Sequence, residues 1–372
     1  MSKFLFNDTD IIDLIVKNES PSGGAAVQSF VWVRALIKLG HEVVILKDPA
    51  DSRSIKAEWN ELDVVPTYDS RKGLKWFRWI YYRFPSIYQL LKREKPDFLY
   101  ESNPSWISFY TAWMCKKLKI KYIARIPLDA QLDHRYRETH SRSHVFFMNK
   151  GLGMASIILC QNDYQIQLVQ QKFPGKKVLK IHNPFIFNTH DLKQDSQPKK
   201  LYIAWVANFR FQKNLKLLYE IAERLKEEQF RIVGSTSQMT DNESAVYLKK
   251  LKKLPNVQIE GFFEREKIMG FLRDAKFLLN TSRFEGFSNT FLETMHVGTP
   301  ILTTHNVNPD KIIGDHQLGL LYGDVEDLET QLRQLSTETY HQLSQNCQKY
   351  VRENHDYLCL TKKLLNTLKE LD

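Results

Sequence analysis

The residues best suited to chemistry lie in the run Thr281-Ser282-Arg283-Phe284-Glu285-Gly286-Phe287-Ser288-Asn289-Thr290-Phe291-Leu292-Glu293. It follows the apolar stretch 277–280, which reads as a buried strand. Gly286 permits a tight turn, and Ser288 or Asn289 can cap a helix through 291–297. A strand, a glycine turn and a helix start leave backbone N–H groups free at one end of a sheet, which suits an anion such as a phosphate. Glu285 precedes the helix and Glu293 lies about one turn into it, so both carboxylates can flank one ligand. Gly298-Thr299-Pro300 then ends the helix.

A second constellation is Trp205-Val206-Ala207-Asn208-Phe209-Arg210-Phe211-Gln212-Lys213-Asn214, again after an apolar strand. Arg210 and Lys213 bring two cations to a strand end. Gly23 and Gly24 form a third candidate, because glycine lets backbone approach a ligand closely.

Other patterns support less. Asp8-Thr9-Asp10 imitates an acidic metal motif but has no partner ligands elsewhere, so it reads as a loop. His140 and His144 have helical metal spacing without further ligands and read as a surface pair. Asp129, Asp133 and His134 follow a strand, with a catalytic part for His134 or Asp129 left open. Cys115, Cys160, Cys347 and Cys359 form no C-x-x-C pair, which points to reduced thiols rather than zinc or redox chemistry. No metal site is expected.

These residues need a scaffold, and short apolar runs alternate with helical patterns along the chain. Strands are expected at 3–6, 43–46, 97–100, 122–126, 157–160 and 178–181, with helices at 25–39 and 106–118. The stretch 188–200 is polar and reads as a linker. Strands then resume at 201–207, 230–233, 257–259, 277–280 and 301–304, with a helix at 214–227. The expected fold is α/β, with two doubly wound, Rossmann-like units facing a cleft. The expected boundaries are 1–187, a linker at 188–200, 201–350, and a C-terminal helix at 351–372 packing back on the first domain.

The 372 residues are 42% hydrophobic and 26% charged, which fits a soluble globular chain of about two domains. No apolar run is long enough to span a membrane, and the acidic start lacks a signal-peptide core. The net charge of +10 is uneven: residues 1–200 carry 31 Lys/Arg against 20 Asp/Glu, and residues 201–372 carry 22 against 23. Its densest part is 71–95, with eight Lys/Arg against Glu94 alone. Within it, 71–84 mixes five cations with Trp76, Phe77, Trp79, Tyr81, Tyr82 and Phe84. Buried aromatics and solvated cations would explain that stretch, and so would an anionic membrane surface. No nucleic-acid-binding motif appears.

Glu285 and Glu293, followed by Gly298-Thr299-Pro300-Ile301, resemble the E-x7-E signature of family 4 glycosyltransferases, which have the GT-B fold. Ser22-Gly23-Gly24 with Gly40-His41-Glu42-Val43 is similar to the family's N-terminal glycine loop and following strand. The 205–214 run resembles its diphosphate loop, and Pro255-Asn256-Val257 through Gly261-Phe262 its nucleotide-base strand. The resemblance implies that Glu293 binds ribose hydroxyls, Glu285 contacts the donor sugar and Lys213 faces the diphosphate. Where the family often has arginine this chain has Asn208, and Arg210 is the candidate second cation. The resemblance also puts Gly23, Gly24, Asn208, Gly234, Gly286, Phe287, Ser288, Asn289 and Thr290 on the donor side. It implies a retaining, metal-independent enzyme needing no cofactor. Such an enzyme would move a sugar from a nucleotide-diphospho-sugar to a glycan or lipid-linked acceptor in polysaccharide or glycolipid assembly. The expected location is cytoplasmic, peripheral at the inner membrane face. The alternatives are a GT-B epimerase or phosphorylase, and a non-catalytic basic protein that binds membrane or nucleic acid.

Overall fold

A computed structural model describes residues 1–17, 23–188, 201–236 and 241–371, with the side chains of 265 and 266 left aside. Ser22 and 189–200, most of the expected linker, lie outside the described residues. The chain forms two compact units, Met1–Pro184 with Tyr357–Asp372, and Phe185–Asp356.

The first unit is built on seven strands: β1 (Lys3–Phe6), β2 (Glu42–Lys47), β3 (Asp63–Pro66), β4 (Phe98–Glu101), β5 (Lys121–Arg125), β6 (Ile157–Cys160) and β7 (Val178–Lys180). Their order is β3-β2-β1-β4-β5-β6-β7, with every pairing parallel. Central strands such as Phe98–Glu101 and Ile157–Cys160 are buried at every position, as a sheet covered on both faces requires. Alternate side chains serve opposite layers. Leu5, Val44, Leu99 and Ile158 pack with residues of helices Phe84–Glu94, Ser108–Leu118 and Arg142–Met154. Phe4, Phe6, Ile45, Tyr100 and Ile123 pack with residues of Gly24–Lys38 and Tyr357–Lys369.

The second unit repeats the plan with β8 (Ile203–Val206), β9 (Phe230–Val233), β10 (Val257–Gly261), β11 (Phe277–Leu279), β12 (Ile301–Thr304) and β13 (Gly319–Tyr322). The order is β10-β9-β8-β11-β12-β13, again all parallel. In each sheet the winding reverses once, between β1 and β4 and between β8 and β11. Ligands of such sheets bind outside the carboxyl ends of the strands at that reversal.

Two strands escaped the sequence reading, and both are edge strands: β3 and β13. β3 carries Asp63 and ends on Pro66, the polar character that protects a sheet edge. β13 begins at Gly319, where an added Cβ would sit 1.8 Å from the Ile301 carbonyl oxygen. The C-terminal helix runs Tyr357–Lys369; residues 351–354 end the preceding helix Thr337–Asn354.

Candidate functional site

In the second unit the two candidate constellations leave the strands on either side of the reversal. The loop after β8 carries Asn208 to Lys213, and the loop after β11 carries Thr281 to Ser288. A single helical turn, Phe211–Lys213, presents Lys213, whose N–H donates to the Arg210 carbonyl at 2.8 Å. Asn214 then takes φ +53, a left-handed conformation that asparagine tolerates, and its Oδ1 caps helix Leu215–Arg224 at the Leu217 N–H.

The loops are joined at several points. Trp205 Nε1 donates to Thr281 Oγ1 at 3.0 Å, and Thr281 Oγ1 donates to the Lys213 carbonyl at 2.8 Å. The Arg283 N–H donates to the Gln212 carbonyl at 2.8 Å. Its guanidinium lies 3.9 Å from the Phe211 ring centroid and pairs with Glu243 at 2.6 Å. At the centre Lys213 Nζ forms an ion pair with Glu285 Oε1. Ser282 Oγ donates to the same oxygen at 2.8 Å, and Gln212 Nε2 to Oε2 at 3.3 Å. The carboxylate side chain is 8% exposed and the ammonium side chain 20%, so charges read separately from the sequence form one partly desolvated pair. Ser282, Gln212 and Arg283 were missed in the sequence. Gln212 and Ser282 lie one and three residues from Lys213 and Glu285, and only the crossing of two loops reveals their task.

The remaining candidates are placed as follows. Arg210 is half-buried, and its Nε has no hydrogen-bond partner among the described residues. Asn208 Oδ1 accepts from Ser235 Oγ at 3.3 Å. Gly234 follows β9, and a Cβ there would meet the Ala207 carbonyl oxygen at 2.1 Å, so glycine lets the two loops approach. Ser288 takes the N-cap position of helix Asn289–His296, without a side-chain cap bond, so Asn289 and Thr290 open the helix. Gly286 is buried, and the Phe287 ring packs with Phe291 and His355 in the core. Glu293 is half-buried in this helix. In the first unit, Gly23 and Gly24 open helix Gly24–Lys38, and an added Cβ on Gly23 would meet nothing within 4 Å among the described residues.

The first sheet has its own pocket at the reversal, enclosing ≈ 210 Å³. Asn7, Asp8 and Asp10 line it after β1, Glu101 and Ser102 at and after β4, with Tyr68 and Trp79 beside them. Asp8 Oδ2 accepts from Ser102 Oγ at 2.6 Å and from Ser29 Oγ at 2.9 Å, so Asp8 is held by hydroxyls. Glu101 is buried, takes hydrogen bonds from Tyr122 and Ser108, and is pushed up to about 7, chiefly by burial and further by the Asp8 charge. Glu101 gave no signal in the sequence, since one acid after an apolar strand is unremarkable.

Asp129 is held by Asn162 at 3.0 Å and Gln165 at 2.8 Å, and burial raises its pKa. Asp133 pairs with Arg135, while His134 is exposed. The His140 and His144 rings lie 4.5 Å apart with Tyr136 stacked on His140. Among the described residues no group of three or more His, Cys, Asp or Glu is arranged to hold a metal ion.

Two family patterns match the chain. The one described as Glycosyltransferase Family 4 covers residues 22–186, and the one described as Glycosyl transferases group 1 covers 187–354. The chain belongs to glycosyltransferase family 4. Its fold is GT-B. It is similar to an alpha-monoglucosyldiacylglycerol synthase of Streptococcus pneumoniae, 22% identical over 328 residues, 79% of this chain and 70% of that protein. Among solved structures it resembles sucrose-phosphate synthase from Thermosynechococcus elongatus, with TM-score 0.77, 13% identity and coverage of 100% and 99%. It also resembles HepE from Anabaena in complex with UDP-glucose, with TM-score 0.72, 14% identity and 100% of both chains covered.

Proposed function

We propose that this glycosyltransferase is a metal-independent, retaining hexosyltransferase that uses a nucleotide-diphospho-sugar, with the donor held at the β8–β11 reversal. The observation that carries the reading is the Lys213–Glu285 pair, fixed by Ser282 and Gln212 beside the N-terminus of helix Asn289–His296. When the bond from the sugar's anomeric carbon to the diphosphate breaks, negative charge grows on the leaving oxygen. Lys213, Arg210 and the backbone N–H groups that open helix Asn289–His296 would offset it. Glu285 then keeps a hydrogen-bonding carboxylate for the sugar's hydroxyls, and Glu293 one for the ribose. The acceptor hydroxyl forms the new bond on the face the diphosphate leaves, and its proton passes to a leaving phosphate oxygen. This accounts for retention without a protein nucleophile.

Solved neighbours bound to UDP or UDP-glucose support a nucleotide-sugar donor, and a relative named as a glucosyldiacylglycerol synthase supports a lipid or glycan acceptor. Thermal shift against a panel of nucleotide sugars tests the donor, because a ligand of the folded state raises stability. The reading expects one donor class to shift wild type, with the shift persisting in EDTA and shrinking in Glu293→Ala. Loss of activity in EDTA with rescue by magnesium or manganese would overturn metal independence.

A further inference from the structure

Large apolar side chains left exposed are concentrated in one short stretch. Leu74 is 74% exposed, Trp76 89%, Phe77 62%, Ile80 72% and Tyr81 50%. Scattered single exposures need no explanation, whereas a contiguous set marks an interaction surface.

The stretch is held in shape. Gly73 has φ +89, and the Leu74 N–H donates to the Tyr81 hydroxyl. Arg78 Nη1 and Arg83 Nη2 both donate to the Ser70 carbonyl, at 3.1 and 2.8 Å, and Tyr82 Oη accepts from the Asp69 N–H at 3.0 Å. Behind the loop, Trp79 packs on Trp106 at 5.1 Å, Phe84 at 5.2 Å and Tyr68 at 5.9 Å, with the Arg83 guanidinium 4.6 Å from the Trp79 ring. Residues 79–83 form a π-helical turn that keeps Trp79 and Arg83 inward while Ile80 and Tyr81 face solvent. The aromatic set is thus divided: Trp79, Tyr82 and Phe84 serve the fold, Trp76 and Phe77 do not, and Tyr81 holds the Leu74 N–H with its hydroxyl while half of it stays exposed.

The exposed apolar tips are accompanied by cations. Arg71, Lys72 and Lys75 are exposed on the same loop, and Asp69 is 3.7 Å from Arg71. Tryptophan and tyrosine favour the depth of lipid headgroups, and Lys and Arg favour anionic headgroups just outside them. No described helix is long and apolar enough to cross a membrane, so attachment here would be peripheral.

We propose that residues 71–81 are an interfacial anchor that seats Leu74, Trp76, Phe77 and Ile80 in an anionic membrane, with Arg71, Lys72 and Lys75 against its headgroups. Trp79 and Tyr68 connect this loop to the pocket lined by Asp8, Asp10 and Glu101. The anchor therefore places the mouth of the first sheet's ligand crevice beside a lipid surface. That consequence for the acceptor rests on the transferase reading; membrane attachment does not.

The test is flotation of the full chain with phosphatidylcholine vesicles and with vesicles containing phosphatidylglycerol, at low and high salt. Wild type should float with the anionic vesicles and lose binding in high salt. Each cation near such a surface is worth about fivefold in binding, so Arg71→Glu with Lys72→Glu and Lys75→Glu should lower apparent affinity at least about a hundredfold. Trp76→Ser with Phe77→Ser and Ile80→Ser should abolish flotation while the nucleotide-sugar thermal shift is unchanged. Wild type absent from both vesicle types, or variants floating as well as wild type, would overturn the anchor. Flotation without a thermal shift from any nucleotide sugar would instead overturn the transferase assignment of the donor site and leave the anchor standing.

Discussion

Replacing Glu101 with glutamine should flatten the dependence of stability on pH. The carboxyl is buried at the end of β4, with hydrogen bonds from Ser108 Oγ at 3.0 Å and from Tyr122. Burial is the largest influence on it, and the Asp8 charge acts in the same direction, so it is pushed up to about 7 from 4.5. Below pH 4.5 the acid is neutral in both folded and unfolded chains and contributes nothing adverse. As pH rises toward 7 the unfolded chain releases the proton while the folded one retains it, so stability falls, and it levels off above the folded value. A shift of about 2.5 units at about 1.4 kcal/mol each amounts to on the order of 3 kcal/mol lost across that window. Glutamine keeps the size and can still accept from Ser108 and donate toward the Tyr122 hydroxyl. Urea unfolding of wild type and Glu101→Gln at several pH values between 4.5 and 8 gives the difference curve directly. Asp10 and Asp129, both raised by burial, remain in both proteins and drop out of it. The difference should grow by roughly 3 kcal/mol in favour of the variant as pH rises. Parallel curves would refute the reasoning.

Other perturbations have defined outcomes. Gly234→Ala should destabilise by about 1–3 kcal/mol, because its methyl group meets the Ala207 carbonyl oxygen; an unchanged urea midpoint would contradict the close approach. Asn256 Nδ2 reaches the carbonyls of Ala222, Leu225 and Glu228 at 3.0, 3.1 and 3.1 Å, so Asn256→Ala should cost about 1–3 kcal/mol in the same assay. Lys213→Ala should slow turnover and also destabilise, since it leaves the Glu285 carboxylate partly buried and unpaired, whereas Lys213→Arg should restore stability better than turnover.

The central strands were legible because an all-parallel sheet buries both faces and so writes continuous apolar runs such as Ile157–Cys160. The edge strands were not, because Asp63–Pro66 has to look polar and Gly319 is chosen for a backbone contact with Ile301. At the site, Glu285, Lys213 and the helix start are local patterns, each visible in its own segment. Their pairing is not, because Lys213 and Glu285 are 72 residues apart and meet only through the sheet order β8-β11. Gln212, Ser282 and Arg283 owe their roles to that meeting. The 71–84 stretch shows the converse limit: composition announces cations and aromatics together, but which rings turn inward depends on the π-helical turn and the Ser70 carbonyl.

The central claim is that a nucleotide sugar bound at the β8–β11 reversal loses its sugar through the Lys213–Glu285 site. Its most direct measure is release of nucleoside diphosphate from a panel of nucleotide sugars, with anionic vesicles of bacterial polar lipids as acceptor, by wild type and by Glu285→Ala. Loss of one charged hydrogen-bond acceptor costs about 1.5–3 kcal/mol, or roughly 10- to 150-fold in rate. The account predicts acceptor-dependent release from one donor class by wild type, and a drop of that size in the variant. Equal release by the two proteins, or release from no donor by wild type, would contradict it.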